Sequence, residues 1–416
     1  MNAPLGFYSQ RLFSALSFAF VLAFGVTWFP TQPLAAQQSF YSLPESPHQR
    51  NDVLVHIPVK ASDSATGTKL IQLSNGTTIT GQLSGPWLLD DPKEKTWITC
   101  VVPAVEAEQK IEFSWAEGTA TDKRASYHWS EDGKDLMLDD HPVLQLEDQT
   151  FDNSSPEKRD LTYKVFHHVF MPGIEGPITK GPGGLFPHHR GLFYGFNRIG
   201  LEIDGKTEMI DTWHAKKAHQ ASAGKPSVEA GPIFARQTIQ IDWICEVSSD
   251  RVFATETREI VLFRSGKQQG IQFSSRLDSK AGDVSMKGDP QHAGFQFRAS
   301  QEVADNTKEQ TYYLRPDGIA QPGQFRNWPD QKDHIDLPFH GMSFVVGGQR
   351  LTCLRLDRPQ NPHPARFSER DYGRFGSYFE YELNEDHPLE VKYQLRFVPG
   401  ELELPAAEAI SAGFAG

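Results

Sequence analysis

The chain has 416 residues, of which 38% are hydrophobic and 23% charged, as in a soluble globular protein rather than a disordered one. Asp and Glu outnumber Lys and Arg by 53 to 41, and no large basic run is present, so the composition argues against nucleic-acid binding. The 34 glycines and 28 prolines favour a loop-rich fold built from β-strands.

The first element in the chain is a predicted signal peptide over residues 1–36. An apolar run follows Arg11 and extends to Phe29, and Ala35 and Ala36 offer a cleavage site of small residues. An uncleaved N-terminal anchor is the alternative, because the run is nearly long enough to span a bilayer. No later segment has that character, so we expect a periplasmic or secreted protein without a membrane partner after signal removal.

Two β regions are predicted to follow. Residues 37–150 form an N-terminal β region of irregular strands, and the polar stretch FDNSSPEKRD (151–160) is the best linker. The main β-sandwich then covers 151–400 and carries the candidate site, and 401–416 form a C-terminal tail.

Alternation of apolar and polar residues is clearest in the second half of the chain. It appears in IQIDWICEV (239–247), SYFEYEL (377–383) and LEVKYQLRFV (389–398), and each pattern is typical of a half-buried antiparallel strand. Gly347-Gly348 predicts a hairpin turn. Residues 207–222 are the best helix candidate. The sequence therefore predicts an all-β protein, a large antiparallel β-sandwich of the supersandwich kind with few short helices.

The three cysteines are far apart in the chain and show no CxxC spacing. Cys100, Cys245 and Cys353 lie in apolar, strand-like runs, so we expect buried free thiols, with one long-range disulfide as the alternative. A cysteine-based zinc site has no support.

The segment GPGGLFPHHRGLFYGF (181–196) places two histidines and an arginine between aromatic side chains. If the backbone stays extended after Pro187, His188 and Arg190 point to one side and His189 to the other. Two adjacent histidines on a strand chelate one ion poorly, so a metal site would need further ligands, such as His292 or the histidines at 167 and 168.

Two more segments carry polar side chains that could form a site. In GDPQHAGFQFRAS (288–300), His292, Gln296 and Arg298 share one face of a predicted strand. The proline-rich stretch LDRPQNPHPARF (356–367) predicts a rigid loop that could position Asn361 and His363 against a ligand.

Taken in order with TWH (212–214), the motifs PHHRG, HAGFQFR and the Asn/His loop resemble the PmoA-like family of exported bacterial proteins, over roughly residues 50–400. The resemblance implies a large β-sandwich of the galactose-mutarotase-like kind and no settled activity. In the third motif, His363 stands where the family pattern has a basic residue after Asn-Pro.

These observations predict an exported carbohydrate-processing enzyme, of the hydrolase, lyase or epimerase type, that uses histidine acid–base chemistry with charge stabilisation by arginine. The predicted catalytic residues are His188, His189, Arg190, His292 and Asp289. The predicted substrate-binding residues are Trp213, His214, Gln296, Arg298, Asn361 and His363.

Two alternatives stay open. One is a metal-dependent enzyme with a histidine-based site, in which His188 or His189, His292 and a carboxylate would bind a divalent metal such as zinc, iron or copper as the cofactor. The other is a non-catalytic glycan-binding protein. In each case the expected partner is a carbohydrate or another small molecule.

Overall fold

The computed structural model describes residues 38–60, 67–118 and 126–415, and the predicted signal peptide lies outside them. Six strands come first and form one antiparallel sheet in the order β1-β6-β3-β4-β5-β2. They are β1 (Tyr41–Leu43), β2 (Arg50–Pro58), β3 (Gly67–Leu73), β4 (Thr78–Ser84), β5 (Trp97–Val105) and β6 (Ile111–Trp115).

An eight-stranded and a four-stranded sheet follow, with strands drawn from distant parts of the chain. The elements up to the middle of the chain are β7 (Tyr127–Trp129), β8 (Asp135–Leu138), β9 (His141–Glu147), helix α1 (Pro156–Thr162), β10 (Phe166–Val169), β11 (Leu192–Phe196), β12 (Arg198–Ile203), β13 (Lys206–Ile210), β14 (Ala218–Ser222) and β15 (Ser227–Ala230). Strands on both sides of residue 150 pair with each other, because β9 is hydrogen-bonded to β10.

The second half supplies the longest strands. They are β16 (Phe234–Cys245), β17 (Arg251–Ser265), β18 (Gln268–Ser279), β19 (Val284–Lys287), β20 (Ala293–Arg298), β21 (Tyr312–Arg315), β22 (Gly318–Ile319), β23 (Phe339–Val346), β24 (Gln349–Asp357), β25 (Arg366–Arg370), β26 (Arg374–Tyr378), β27 (Tyr381–Leu383) and β28 (Leu389–Pro399), followed by helix α2 (Leu404–Ala415). A short π-helical turn (Val303–Thr307) and a 3-10 turn (Lys308–Gln310) precede β21.

These strands complete three sheets. The eight-stranded sheet has the order β25-β26-β20-β11-β10-β9-β8-β7, and the four-stranded sheet has the order β13-β12-β19-β27. The ten-stranded sheet has the order β14-β16-β17-β18-β28-β24-β23-β21-β22, with β15 paired to β16. The prediction of an all-β protein with large antiparallel sheets and few short helices is confirmed.

The ten-stranded sheet is covered on both faces. Val391, Tyr393 and Leu395 of β28 face the main core, which they share with strands of the eight-stranded sheet. The opposite face carries a second cluster that includes Phe234, Phe263 and Trp87, where the six-stranded sheet packs on β16 and β17. Helix α2 buries Ile410 on the same side. Full burial of a sheet on both faces explains why its polar side chains are also shielded from water.

Most local predictions in this region agree with the structure. Strands β16 and β28 follow the alternation read from the sequence, and the hairpin between β23 and β24 turns at Gly347-Gly348, both with positive φ. All three cysteines are buried and free. The predicted strand over 377–383 is interrupted between β26 and β27.

The predicted helix over 207–222 is wrong. The segment contains most of β13, a turn and β14. The Asp211 carboxylate causes the turn, since it accepts hydrogen bonds from the backbone N–H groups of Trp213 (2.7 Å) and His214 (2.8 Å). An Asx turn of this kind competes with helix formation.

No helix among the described residues is both long enough and apolar enough to cross a membrane.

Candidate functional site: a histidine cluster above the eight-stranded sheet

Four histidines from three separate segments meet on the outer face of the eight-stranded sheet. The ring centroids of His188 and His214 lie 4.5 Å apart, those of His214 and His292 4.7 Å, and those of His188 and His292 5.3 Å. His189 lies 5.3 Å from His292 with nearly parallel rings. The structure thus brings together residues that are more than 100 positions apart in the sequence.

The strands below explain why these segments converge. Strands β11 and β20 are paired, with Leu192 opposite Phe297 and Phe196 opposite Ala293. His292 immediately precedes β20 and so lies near Phe196, where β11 ends. The loop 181–191 leads into the start of β11 at Leu192. Phe193 of β11 points away from the main core and packs against Trp213. His189 and His292 contact the Trp213 ring of this pair, with ring centroids 5.6 Å and 6.2 Å away.

The loop 181–191 is not extended, so the prediction that His188 and His189 point to opposite sides is wrong. Phe186 has φ +52°, and its carbonyl accepts a hydrogen bond from the His189 N–H at 3.0 Å. This turn places the two adjacent imidazole rings 4.4 Å apart in one cluster.

Buried cations hold the carbonyl groups of this loop. Lys164 donates to the carbonyl of His188, and Lys180 donates to the carbonyls of Gly181 (3.1 Å) and Gly183. Arg190 donates from Nε to the carbonyl of Pro187 at 3.0 Å. The loop therefore has a fixed shape although it contains no regular secondary structure.

Lys164 is notable because its ammonium is enclosed by aromatic rings. Its Nζ lies 3.8 Å from the centroid of Phe193 and 4.7 Å from that of Trp213. Burial lowers the pKa of Lys164 well below its usual value, and the charge of Arg190 acts in the same direction. Cation–π contacts offset part of the cost of burying the charge.

Two of the four histidines are oriented by aspartates three residues earlier in the chain. The Nδ1 atom of His214 lies 2.8 Å from Asp211 Oδ2, and the Nδ1 atom of His292 lies 3.0 Å from Asp289 Oδ1. In each pair the carboxylate fixes the tautomer with a proton on Nδ1 and leaves Nε2 with a free lone pair. Asn197 Nδ2 donates to Asp289 at 2.7 Å and holds that carboxylate in turn.

Three of the four histidines are neutral at ordinary pH: His188, His189 and His292. Burial lowers the pKa of His188 to about 2, with the Lys164 charge acting in the same direction, and burial also lowers the pKa of His189 well below its usual value. Burial lowers the pKa of His292 despite the opposing effect of Asp289. For Asp289 itself, burial acts to raise the pKa, but the hydrogen bond from His292 outweighs it and leaves the pKa well below its usual value.

Three of these imidazoles can reach one metal ion. The ligand atoms of His188, His214 and His292 all lie within 4.8 Å of one another, and the three residues are half-buried. His188 Nε2 is buried and has no hydrogen-bond partner in the part of the chain that the structure describes. Zinc–nitrogen bonds of about 2.0–2.1 Å would draw each nitrogen inward by roughly 1 Å or less.

The other predicted site residues lie outside this cluster or beneath it. Trp213 is 1% exposed, so its indole cannot stack on a sugar. Arg190 and Arg298, also 1% exposed, donate to backbone carbonyls, Arg298 to those of Ala299 and Tyr372. Gln296 binds the Arg374 guanidinium at 2.8 Å.

The proline-rich loop does not reach the histidine cluster with either predicted residue. The Asn361 side chain bonds to the backbone N–H and carbonyl of Lys392. His363 lies between Asp336 Oδ1 (2.7 Å) and the carbonyl of Pro359 (2.9 Å). Both residues stabilise the path of the loop.

Sequence reasoning missed Asp211, Lys164 and Phe186. The signal for Asp211 was present: Asp-x-x-His occurs in both DTWH (211–214) and DPQH (289–292). No comparable pattern marks Lys164, because its role depends on the carbonyl of a residue 24 positions away.

A second group of ionisable residues is fully buried elsewhere. Glu369 accepts two hydrogen bonds from Arg315 (2.7 and 2.6 Å) and one from His340 (2.8 Å), with His334 3.4 Å away. Burial acts to raise the pKa of Glu369, but these bonds lower it to about 2. Since Arg315 occupies both carboxylate oxygens, this group is a structural network rather than a metal site.

Comparison with known proteins gives a family but no activity. The model of a family of unknown function, DUF6807, matches residues 134–412. The chain belongs to the DUF6807 family. The matched range contains every residue of the histidine cluster, and no curated protein matches this DUF6807 chain.

Two solved structures from Enterococcus faecalis show a weak similarity to this DUF6807 protein. One is a protein in glycosyl hydrolase family 38, with 10% identity and a TM-score of 0.42 over 89% of this chain and 45% of that one. The other, from strain V583, is an alpha-mannosidase, with 9% identity and a TM-score of 0.42 over 90% and 45%. The chain spans about half the length of these structures. A likeness of this extent carries no information about activity.

Proposed function

We propose that this chain is a metal-dependent enzyme acting on carbohydrates, with a divalent transition metal bound by His188, His214 and His292. The observation that carries the proposal is the convergence of three ligand nitrogens within 4.8 Å, two of them on rings whose other nitrogen faces a carboxylate. Metal-binding histidines typically donate their other ring N–H to a carboxylate in this way, which fixes the orientation of the ring. Three imidazole ligands suit zinc, copper, iron or nickel and leave a coordination position open for substrate.

The geometry favours this function over metal-free acid–base catalysis. A general acid near neutral pH needs a protonated imidazole, and burial lowers the pKa of His188 and His292. Arg190 and Arg298, the predicted charge-stabilising groups, are buried and bonded to backbone carbonyls. When bound, a divalent ion supplies the positive charge that these groups do not, and it polarises a hydroxyl or carbonyl oxygen.

His189 lies beside the ligands, but the residue is only 2% exposed, so its ring is not placed to take a proton from a substrate. Its ring stacks at 5.3 Å on His292, and its Nδ1 has no hydrogen-bond partner among the described residues.

Phe186 offers the surface on which a sugar could stack, which is the role predicted from the sequence for Trp213. Its ring is 40% exposed, 6.1 Å from the rings of both His188 and His189, and 4.9 Å from that of Tyr372. A positive φ at a bulky residue is strained, and such strain is concentrated at functional sites. The proposed carbohydrate substrate rests on this aromatic surface and on the sequence motifs.

We place the protein outside the cytoplasm on the predicted signal peptide alone.

The test measures metal content and turnover in the same preparation. The full chain is stripped with a chelator, reloaded separately with zinc, copper, iron or nickel, analysed by elemental mass spectrometry and assayed on a panel of glycans. We expect one ion per chain in the wild type and in the control His387→Ala, whose ring is exposed in a turn. His188→Ala and His292→Ala should bind the ion at least about tenfold more weakly.

Three results would contradict the proposal. A wild-type chain that binds none of the four ions stoichiometrically has no such centre. Full turnover by the metal-free protein would indicate metal-independent acid–base catalysis instead. Glycan binding without turnover, with any metal, would favour a non-catalytic glycan-binding protein.

A further inference from the structure

A second polar cavity lies on the opposite side of the ten-stranded sheet from the main core. Its volume is about 340 Å³, at the small end of the range for small-molecule sites. Its polar lining includes His56, Trp87, Gln272, Arg358, Lys392 and Gln394. The six-stranded sheet, strands β18 and β28 and the end of helix α2 all contribute, so the cavity forms only when these parts are packed together.

Two cations are held next to each other in this cavity. Asn361 bonds to both the N–H and the carbonyl of Lys392, and the Arg358 N–H bonds to the same carbonyl at 3.1 Å. These bonds fix the loop after β24 against β28. Burial lowers the pKa of Lys392, and the positive charge of Arg358 acts in the same direction, whereas the carboxylates of Asp90 and Glu259 act to raise it. Neither cation forms an ion pair within 4 Å with a carboxylate among the described residues.

The carboxylate that lines the cavity is already engaged. Asp90 lies 2.9 Å from His56 Nε2 and accepts the backbone N–H of Trp87 at 2.7 Å. The His56 ring is itself fixed between Trp87 and Trp97, with ring centroids 3.8 Å and 4.5 Å away. Both contacts are made by Asp90 Oδ2, so Oδ1 remains free among the described residues and the carboxylate offsets part of the positive charge of Lys392. One carboxylate beside two cations still leaves the lining of the cavity with a net positive charge.

Two further donors in the lining lack partners. The Gln272 side-chain amide nitrogen and the Trp87 indole nitrogen are buried and find no hydrogen-bond acceptor within 38–60, 67–118 and 126–415, and both residues are 5% exposed. Buried donors without acceptors are costly, and like charges held together repel. A ligand that brings oxygen acceptors and negative charge removes both penalties at once.

We infer that this cavity binds a small molecule that carries an oxyanion, as a carboxylate, phosphate or sulfate group. Lys392 and Arg358 bind the charged oxygens, and the neighbouring amide and indole donors bind the remaining polar groups. The volume exceeds that of an inorganic ion, so an anionic monosaccharide such as a uronate also fits. The inference is independent of the metal centre, since it uses no residue of the histidine cluster.

The test is calorimetric titration of the full chain with inorganic phosphate, sulfate, glucuronate and, as an uncharged control, glucose, each at low and high salt. We expect one anion per chain, weaker binding at high salt and no binding of glucose at the same concentrations. Binding of phosphate or sulfate alone identifies a free inorganic ion, and binding of glucuronate identifies the organic acid.

Variants separate the cavity from general surface charge. Lys392→Met and Arg358→Gln should weaken anion binding about tenfold or more. The control Lys287→Met should not, because this lysine has a half-exposed side chain and does not line the cavity. Arg358 lies in a loop, so its variant keeps the test valid if the Lys392 variant does not fold. The inference is overturned if no anion binds, if glucose binds as well as glucuronate, or if Lys287→Met weakens binding as much as Arg358→Gln. Metal content should be unchanged in all three variants, so failure here leaves the metal proposal standing.

Discussion

Asp289→Asn is the substitution that most directly tests how the metal ligands are oriented. The carboxylate lies 3.0 and 3.2 Å from His292 Nδ1, and it also accepts hydrogen bonds from Asn197 (2.7 Å) and the backbone of Gln291 (3.0 Å). An asparagine has the same shape and keeps an acceptor oxygen, so the fold should survive. What is lost is the negative charge that makes the imidazole a better donor of electron density.

The expected magnitude follows from this local change. Loss of a carboxylate that is hydrogen-bonded to a metal-binding histidine typically weakens metal binding about 10- to 100-fold, or about 1.4–2.7 kcal/mol. Asp211 acts on a different ligand, His214, so the two effects should add in free energy, giving about 100- to 10,000-fold for the double variant.

Metal affinity is measured by competition with a chromophoric chelator, with the stripped and reloaded full chain. Asp283→Asn is the matched control, because its side chain is exposed. The reasoning is refuted if Asp289→Asn binds the ion as tightly as this control does. It is also refuted if the double variant is no weaker than either single variant, since the two aspartates would then not act on separate ligands.

Three further predictions concern stability and substrate binding. Because the folded-state pKa of Glu369 is about 2 against a usual 4.5, its contribution is present above pH 4.5 and is lost as the pH falls toward 2. Glu369→Gln should therefore lower the free energy of unfolding, measured with urea at pH 7, by about 3–5 kcal/mol. The difference in stability from the wild type should become smaller between pH 4.5 and 2, and a difference that stays constant over this range would contradict the prediction. Gly183→Ala, at φ +77° with open space around it, should lower the free energy of unfolding by about 1–2 kcal/mol. Gly294→Ala has a similar φ of +74°, but its new methyl group would lie 2.2 Å from a backbone carbonyl oxygen, so it should lower the melting temperature much further than Gly183→Ala does. Equal shifts in melting temperature would be evidence against the clash. Phe186→Ala should raise the KM for a glycan substrate with metal content unchanged, while Leu185→Ala, an equally exposed neighbour, should not; parallel effects would exclude specific stacking.

The sequence predicted the strands well where one face is apolar. Ile239, Ile241 and Trp243 share a buried face of β16 as the alternation indicated. It failed for residues 207–222, because helix and strand patterns are hard to separate in a short mixed segment and the Asx turn at Asp211 decides the outcome.

The candidate site could be predicted in part. The chemistry of His188, His189 and His292 singled them out, and the structure places their rings together. The direction of each side chain could not be read, because it depends on the positive φ of Phe186. Nor could the sequence show that the Arg298 guanidinium would bind backbone carbonyls. An arginine with that role and one that faces a ligand have the same place in an alternating strand pattern.

The three buried cations that hold the carbonyls of the loop 181–191 also affect how the site responds to its ligand. A loop braced in this way has already lost its conformational entropy when the chain folds, so ion capture should require little rearrangement. The apoprotein and the loaded protein should then have nearly superimposable backbones in this region, with similar amide exchange rates. The geometry that selects the ion would be a property of the folded chain, set by lysine and arginine residues that never touch the ion.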